Sequence, residues 1–549
     1  MGLSSNLSVW EADGSGPALR EITLGDALDE QAAARGEAPA LIFDEFGVHW
    51  SWAEMKARAD RLARGLMAWG VAAGDRVAVL SPNAPEWVLL EYALAKVGAT
   101  LVTVNPALRE SELDYVLRQS RSSALFTVCG YRNYDLAAAI TAIRSRLPGL
   151  SRVARMGEGD LPDAPAFAEV EAMADKVNAE ALAERQAGVK PGDIVQIQYT
   201  SGTTGNPKGA MLTHRSTVNN GRLMALRAGF RPEDRLVSAM PFFHTAGCVC
   251  NVMGMLAVGG CHVGLSAFDA EKMLEQIEKH RGTVTNSVPT MLIRMLEEPS
   301  MPDRDLSSWR ICFVGGTDIP PSLMRRMKEQ VGTDPMIIMG MTECSPIITQ
   351  TEPSDDFETQ IATAGTPLPH TEIKVVDPET RDPVPLGESG ELMIRGYLTT
   401  AGYFDMPEKT AETLDAEGWL KSGDLAVLDE GGYLRIVGRI KDMLIRGGEN
   451  VYPAEIEAFL MTHPDISDAQ VVGVPDPQMG EEIFAFVIPR PGATLDPQIV
   501  RDFCREGLAR HKLPKYVELT DAFPQTANGK IRKVELRETA AKRVAESAA

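Results

Sequence analysis

Between residues 26 and 190 the chain alternates stretches of helical period with short apolar runs, such as Arg76-Val-Ala-Val-Leu80 and Ala99-Thr-Leu-Val-Thr-Val104. Helices alternating with strands predict α/β layers. Ile194-Val-Gln-Ile-Gln-Tyr199 alternates apolar and polar positions and reads as a strand. The alternation continues through a helix near 271–280, a run at 283–288, a helix near 290–296 and the run Ile311-Cys-Phe-Val314. From about Glu372 the texture becomes strand-rich, at 372–376 and 391–395. Glycines and charges at 438–442 and 446–450 mark a loop between compact segments. Beyond it, residues 441–549 read as a small α+β unit. Its helices are expected at 454–461 and 497–509, its strands near 469–474 and 483–488, and an Ala-rich solvated helix at about 535–546. No internal repeat or low-complexity tract interrupts the pattern.

Composition bounds this picture. A chain of 549 residues is too long for one hydrophobic core and divides into at least two domains. With 44% hydrophobic and 24% charged residues it is an ordinary globular composition, not a disordered one. A net charge of −21 argues against nucleic acid and anionic membrane surfaces as partners. Residues 236–268 carry no charge, long enough for a bilayer, but they contain Pro241, His244, Asn251 and five glycines. Buried structure around an apolar ligand suits them better than a membrane span. Seven sparse cysteines fit reduced thiols in a cytoplasm, and the amino terminus lacks signal-peptide and myristoylation patterns. Cytoplasmic residence is therefore expected.

The segment Tyr199-Thr-Ser-Gly-Thr-Thr-Gly-Asn-Pro-Lys-Gly-Ala-Met-Leu-Thr-His214 concentrates five Ser/Thr hydroxyls, three glycines and one lysine behind the predicted strand. Glycines let backbone amides approach a ligand, hydroxyls add hydrogen bonds and lysine adds positive charge, which together suit a polyphosphate. It is not a Walker A loop: Pro207 stands where that motif needs glycine before the lysine, and Gly209 where it needs Ser or Thr after it.

With further blocks in the same order, the chain resembles the adenylate-forming superfamily of acyl-CoA synthetases, firefly luciferase and peptide-synthetase adenylation domains. The blocks are Pro241-Phe-Phe-His244, Gly315-Gly-Thr317, Gly340-Met-Thr-Glu343, Gly390-Glu-Leu-Met-Ile-Arg-Gly396, Ser422-Gly-Asp424, Gly438-Arg-Ile-Lys-Asp442 and Gln525-Thr-Ala-Asn-Gly-Lys530. The nearest likeness is to bacterial medium-chain fatty acyl-CoA synthetases. The resemblance implies an α/β fold: a large N-terminal domain over 1–438, with stacked β-sheets, helices and a small barrel, and a small mobile α+β C-terminal domain over 439–549. It also implies ATP, Mg²⁺ and CoA as cofactor and co-substrates.

The same resemblance implies site roles. Thr200, Ser201, Gly202, Thr203, Thr204 and Gly205, with Lys208, hold the β and γ phosphates. Glu343 is the Mg²⁺ ligand, with Thr200 also at the metal, and Thr342 lies beside the α-phosphate. Gly315, Gly316 and Thr317 lie along adenine, and Gly340 and Met341 complete that wall. Met339 stands where the family has a ring-stacking tyrosine, and a thioether can pack on the ring in its place. Asp424 takes the ribose hydroxyls, Arg439 lies near the ribose and α-phosphate, and Lys530 is the catalytic lysine between carboxylate and α-phosphate. His244, Gly315 and Met341 face the acyl group, Lys441 is the hinge, and Arg446, Gly447 and Gly448 flank the CoA thiol path.

Plainer readings stand beside these: Glu343 as an acid at a helix start, Asp424 with Arg439 as a surface pair, Lys530 as a solvated charge and His244 as a core histidine. His244, Cys248, Cys250, Cys261 and His262 match no common zinc spacing and read as small buried side chains near a pocket. The expected activity is an ATP-dependent acyl-CoA synthetase. The pocket segments 242–254, 287–292, 313–315 and 338–347 contain no Lys or Arg, which favours a medium-chain monocarboxylic acid. Small aromatic or thioether acids are the alternative substrates, and a carrier-protein phosphopantetheine the alternative acceptor. A non-catalytic ATP sensor is the rival from another class. The absence of a carrier domain before Ala549 favours free CoA, and a homodimer is one assembly open to the chain.

Overall fold

The computed structural model describes residues 2–3, 6–12, 14–200, 206–316, 319–447, 449–524 and 531–548. Two compact units emerge. One consists chiefly of Trp10–Ile373 and Ile394–Leu420, the other of Leu3–Val9, Lys374–Met393 and Lys421–Ala549.

Among the described residues, the larger unit holds two large sheets and a two-stranded ribbon, Gly130–Tyr131 with Tyr134–Asp135. The first runs in the order Lys208–Thr213, Ile194–Thr200, Thr100–Val104, Arg76–Leu80, Ala124–Val128, Arg152–Met156. All its neighbours are parallel except Lys208–Thr213, which turns back on Ile194–Thr200 with Thr200 opposite Lys208. The glycine-rich segment therefore joins the two arms of a hairpin at the sheet's edge. In the second, nine-stranded sheet, Val284–Ser287, Ile311–Gly315 and Asp334–Gly340 lie side by side and parallel. Ligands of open α/β sheets gather at the carboxyl ends of such strands. Gly315-Gly316 and Met341–Glu343 follow directly from two of them.

Helix Pro85–Val97 shows why the first sheet is well covered. Proline opens it, Gly98 in the left-handed conformation (φ +69) closes it, and every residue except Glu86 is buried. Its two buried charges have partners: Lys96 meets Asp29 (2.5 Å) and Asp60 (2.8 Å), and Glu91 accepts from Gln196 (2.5 Å). Helix Trp52–Ala68 begins with a capping box between Ser51 and Glu54.

The charge-free segment is not a span. It forms strand Arg235–Ser238, a π-helical stretch Ala246–Met253 continuing into helix Gly254–Val258, and strand Cys261–Gly264. Among the described residues no helix is long and apolar enough to cross a membrane. Backbones approach closely here: a Cβ on Gly247 would lie 2.2 Å from the Pro241 carbonyl oxygen.

A five-stranded sheet, most of it in the smaller unit, runs Val9–Trp10, Thr371–Val376, Ser389–Gly396, Leu420–Leu428, Leu434–Arg439. A second sheet runs Glu449–Val451, Leu444–Arg446, Gly480–Pro489, Ile466–Asp476, with Tyr516–Leu519 parallel to Gly480–Pro489. Alternation along its long strands places Val471, Ile483 and Ala485 against the cluster containing Ile456 and Val500. Val472, Phe484 and Phe486 join Leu536 and Ala540 of helix Lys533–Ala548. Within 446–450, expected as a loop, Arg446 and Glu449 instead face each other where strands Leu444–Arg446 and Glu449–Val451 pair antiparallel. Helix Pro497–Gly507 ends before the expected 509, because Leu508 turns extended (φ −111, ψ 146).

Candidate active site

In the larger unit the site grows from the hairpin. Thr200, the last residue of its strand, donates its hydroxyl to the Lys208 carbonyl (3.4 Å). Segment 401–404 lies along the outer arm: the Met211 amide donates to Gly402 O (2.9 Å) and the Phe404 amide to Gly209 O (2.8 Å). That pairing sets Tyr403 beside Lys208, whose Nζ donates to the Tyr403 hydroxyl (3.1 Å) and rides 4.2 Å from the ring centroid. The same hydroxyl donates to Glu343 Oε1 (2.8 Å). Burial, then the neighbouring Glu343 carboxylate, push the Tyr403 phenol well above its ordinary range, so it stays protonated.

Glu343 sits in the single turn Thr342–Cys344 behind strand Asp334–Gly340 and is only 6% exposed. Its carbonyl accepts from the Thr400 amide (2.7 Å), and the Thr400 hydroxyl bonds Met211 O (2.8 Å). Among the described residues the Glu343 carboxylate meets a neutral phenol and no cation, so its charge is not cancelled. A buried, uncancelled carboxylate is a donor suited to a hard cation such as Mg²⁺.

Glycines make the neighbouring wall possible. A Cβ on Gly315 would lie 2.6 Å from Ile338 O, and one on Gly340 2.2 Å from Pro346 O; Gly316 has φ +86. Met339, Met341 and Thr342 are half-buried along the same strand end. His244 opens the π-helical stretch, and its carbonyl accepts from the Gly247 (2.9 Å) and Cys248 (3.1 Å) amides. Beneath it the Cys248 thiol accepts from Gln198 Nε2 (3.2 Å), and Gln198 donates to Gln196 (2.9 Å), the partner of Glu91. Burial pushes the Glu91 carboxyl and the Cys248 thiol up, and Cys250 and Cys261 up to about 12. Burial pushes His262 down to about 3, between the rings of Phe43 and Phe242, so these groups are neutral packing elements. Among the described residues no three His, Cys, Asp or Glu side chains converge as a metal-binding group. His214, at the end of the motif, is also neutral, pushed down to about 4 by burial, and its Nδ1 accepts from the Leu24 amide (3.1 Å).

In the smaller unit Asp424 and Arg439 face each other across paired strands, Nε to Oδ1 2.9 Å, with Asp424 8% exposed. Ser422 shapes the turn: its hydroxyl donates to Leu392 O (2.7 Å) and accepts from the Asp424 amide (3.0 Å). Partial burial and the Arg439 guanidinium hold the Lys441 ammonium below its ordinary range. Arg537 of the last helix pairs with Asp442 (2.6 Å) and donates to Lys441 O (3.4 Å). Arg446 donates to the carbonyls of Arg510 (3.3 Å) and His511 (2.8 Å) and pairs with Glu482 (2.8 Å). Gly447 (φ +60) donates to Met479 O (2.8 Å). Ser201, Gly202, Thr203, Thr204, Gly205, Thr317, Gly448 and Lys530 lie outside the described residues.

A cavity of about 840 Å³ lies elsewhere, over the amino ends of the first sheet's strands, lined by Arg76, Thr100, Arg185, Ile194, Met211 and Phe404. Thr200, which pairs with Lys208, is at the opposite end of its strand from Ile194.

The family model described as AMP-binding enzyme matches residues 28–404, and that described as AMP-binding enzyme C-terminal domain matches 455–530. The chain belongs to the AMP-binding enzyme family. YngI of Bacillus subtilis, a putative acyl-CoA synthetase, is 39% identical over 530 residues, covering 94% of this chain and 96% of its own. The mouse mitochondrial medium-chain acyl-CoA ligase ACSF2 is 36% identical over 540 residues, covering 95% and 88%. The crystal structure of the anthranilate CoA ligase AuaEII in complex with anthranoyl-AMP superposes with a TM-score of 0.85 at 28% identity, over 97% of this chain and 100% of that one.

Within this AMP-binding enzyme, Tyr403 bonds two of the candidate site residues, Lys208 and Glu343, yet none of the sequence motifs singles it out. A signal does exist: an aromatic in Thr399-Thr-Ala-Gly-Tyr403, a short polar run that the glycine at 402 (φ +117) bends against the edge strand.

Proposed function

We propose that this chain, an AMP-forming acid–CoA ligase, activates a medium-chain monocarboxylic acid and passes the acyl group to free CoA. The carboxylate attacks the α-phosphorus of ATP, the bond to the bridging oxygen breaks, and pyrophosphate leaves. CoA thiolate then displaces AMP from the adenylate. The observation that carries the reading is the meeting of Lys208, Tyr403 and Glu343 at the mouth of the hairpin.

Two anions must approach each other in the first step, so fixed cations and donors stabilise the transition state. Lys208, with Thr200 and the 201–205 loop, receives the β and γ phosphates. Glu343 is the carboxylate that would hold Mg²⁺, with the Thr200 hydroxyl assisting, and the ion when bound screens phosphate charge. Thr342, Gly315, Gly316 and Met339 border the nucleotide, Asp424 and Arg439 take the ribose side, and Lys530 supplies the cation between acid and α-phosphate. Residues 1–438 and 439–549 act as the two working domains. Arg446 supports the CoA path through the 510–513 carbonyls it holds. Cytoplasmic residence fits this chemistry.

Lys441 is proposed as the hinge between half-reactions. Lys441→Pro removes a backbone donor and fixes φ. Adenylation is expected to survive, while CoA-thioester formation falls on the order of tenfold or more. Pyrophosphate release and thioester yield, measured separately, check this; an equal fall in both would remove the hinge role.

The acid follows from the pocket segments, where a second carboxylate would find no Lys or Arg partner and would be costly to bury. Mouse ACSF2, a medium-chain acyl-CoA ligase by name, supports the same choice. The test is CoA-thioester formation over a panel of straight-chain, branched and aromatic acids. kcat/KM should rise with each methylene, by up to about 0.8 kcal/mol of binding, then drop once the pocket floor is reached. A preference for acetate or a dicarboxylate would overturn the medium-chain reading, and a preference for a small aromatic acid would align the chain with AuaEII instead.

A further inference from the structure

The geometry points to Tyr403 as a positioning residue that keeps Lys208 and Glu343 apart and charged for nucleotide and metal. The inference rests on the ATP reading of the hairpin site.

Lys208 and Glu343 carry opposite charges at the mouth of one hairpin. Left to themselves in a partly buried site, an ammonium and a carboxylate close into an ion pair, and each cancels the other. Here both bond one phenol oxygen: it accepts from Lys208 Nζ at 3.1 Å and donates to Glu343 Oε1 at 2.8 Å. A phenol hydroxyl accepts one hydrogen bond and donates another, so it satisfies both groups without consuming either charge.

The spacer is itself braced. Tyr403 is 3% exposed, and its amide donates to the Thr410 hydroxyl (2.9 Å). The amides of Met211 and Phe404 tie its neighbours to the strand that bears Lys208. Thr400, three residues earlier, bonds both the Glu343 carbonyl and the Met211 carbonyl. One short segment thus registers the phosphate-binding lysine against the metal-binding carboxylate. The hydroxyl reaches both groups, whereas the ring alone contacts the Lys208 ammonium by a cation–π interaction at 4.2 Å.

Tyr403→Phe separates these contributions, since the ring stays and only the hydroxyl goes. Binding of Mg²⁺ with α,β-methylene-ATP, and of AMP, is measured by calorimetry on the full-length chain across a free-Mg²⁺ series. In Tyr403→Phe, affinity for the triphosphate analogue should weaken roughly ten- to hundredfold, the range for hydrogen bonds to charged groups. The Mg²⁺ concentration needed for half-saturation should rise with it. AMP, which lacks the β and γ phosphates, should bind as before, and circular dichroism should show the chain still folded. In a Lys208→Met background the same substitution should cost less than it does alone, because the spacer has lost one of the two groups it separates. Equal weakening for AMP and the triphosphate analogue, an unshifted Mg²⁺ requirement, or full additivity with Lys208→Met would each overturn the role. Failure of the unsubstituted chain to bind the analogue would instead overturn the ATP reading.

Discussion

Replacing Lys530 by alanine is expected to abolish nearly all acyl-adenylate formation while leaving conversion of supplied acyl-adenylate and CoA to thioester. The reason is electrostatic. In adenylation a carboxylate approaches a phosphate, and a cation between them stabilises the charge that accumulates in the transition state. Loss of one such preorganised group costs on the order of 10²–10³ in rate, or about 2.7–4 kcal/mol. Thioester formation starts from an adenylate whose carbonyl carbon is uncharged and whose leaving group is AMP, so it does not need the same bridge. Lys530 follows Thr526-Ala-Asn-Gly, a run of residue types that favour turns. Pyrophosphate release and thioester formation from synthetic acyl-adenylate, followed in parallel, check the split. Equal loss of both half-reactions would mark a folding or general binding defect and remove the assigned role.

Glu343→Gln should be nearly as severe and more diagnostic of metal. The glutamine has the shape of the native side chain and keeps an oxygen to accept from Tyr403, so the turn Thr342–Cys344 and its bond from Thr400 are retained. What disappears is the negative charge, buried to 6% exposure and not cancelled by a cation among the described residues. If that charge holds Mg²⁺, pyrophosphate release should fall by roughly 10²–10³, the scale seen when one group stabilising developing charge is removed. Part of the loss should return at high Mg²⁺, and the unfolding midpoint should stay close to that of the native chain. Unchanged Mg²⁺ dependence with normal pyrophosphate release would move the metal role to another carboxylate.

Much of the scaffold is legible in the chain itself. Strand Ile194–Thr200 extends the expected run by one residue, strand Arg76–Leu80 coincides with it, and helices Ala270–His280 and Pro289–Leu296 each begin one residue early. Such elements are readable because their period depends on neighbours within a few residues. The pairing of Leu444–Arg446 with Glu449–Val451 is less legible. Arg446-Gly-Gly-Glu reads equally as open loop or turn until the strand Gly480–Pro489 pairs with one arm. The π-helical stretch Ala246–Met253 is hidden too, since a run of apolar and small residues broken only by Asn251 carries no clear period.

For the site, the sequence by itself determined which residue types and which motifs are present, and hence the family and its chemistry. A glycine- and hydroxyl-rich loop behind an alternating strand is a local signal, and so is the carboxylate after Gly340-Met-Thr. Only the tertiary structure decided which charges meet. Glu343 and Tyr403 are 60 residues apart and Lys208 and Tyr403 are 195 apart, yet one oxygen joins all three. Their meeting is set by the register of segment 401–404 on the edge strand and by the Thr400 bond to the Glu343 turn. Hydrogen-bond register between distant segments leaves no period in either one. That is why Lys208 and the acidic turn could be read from the chain, and the tyrosine that bonds both could not.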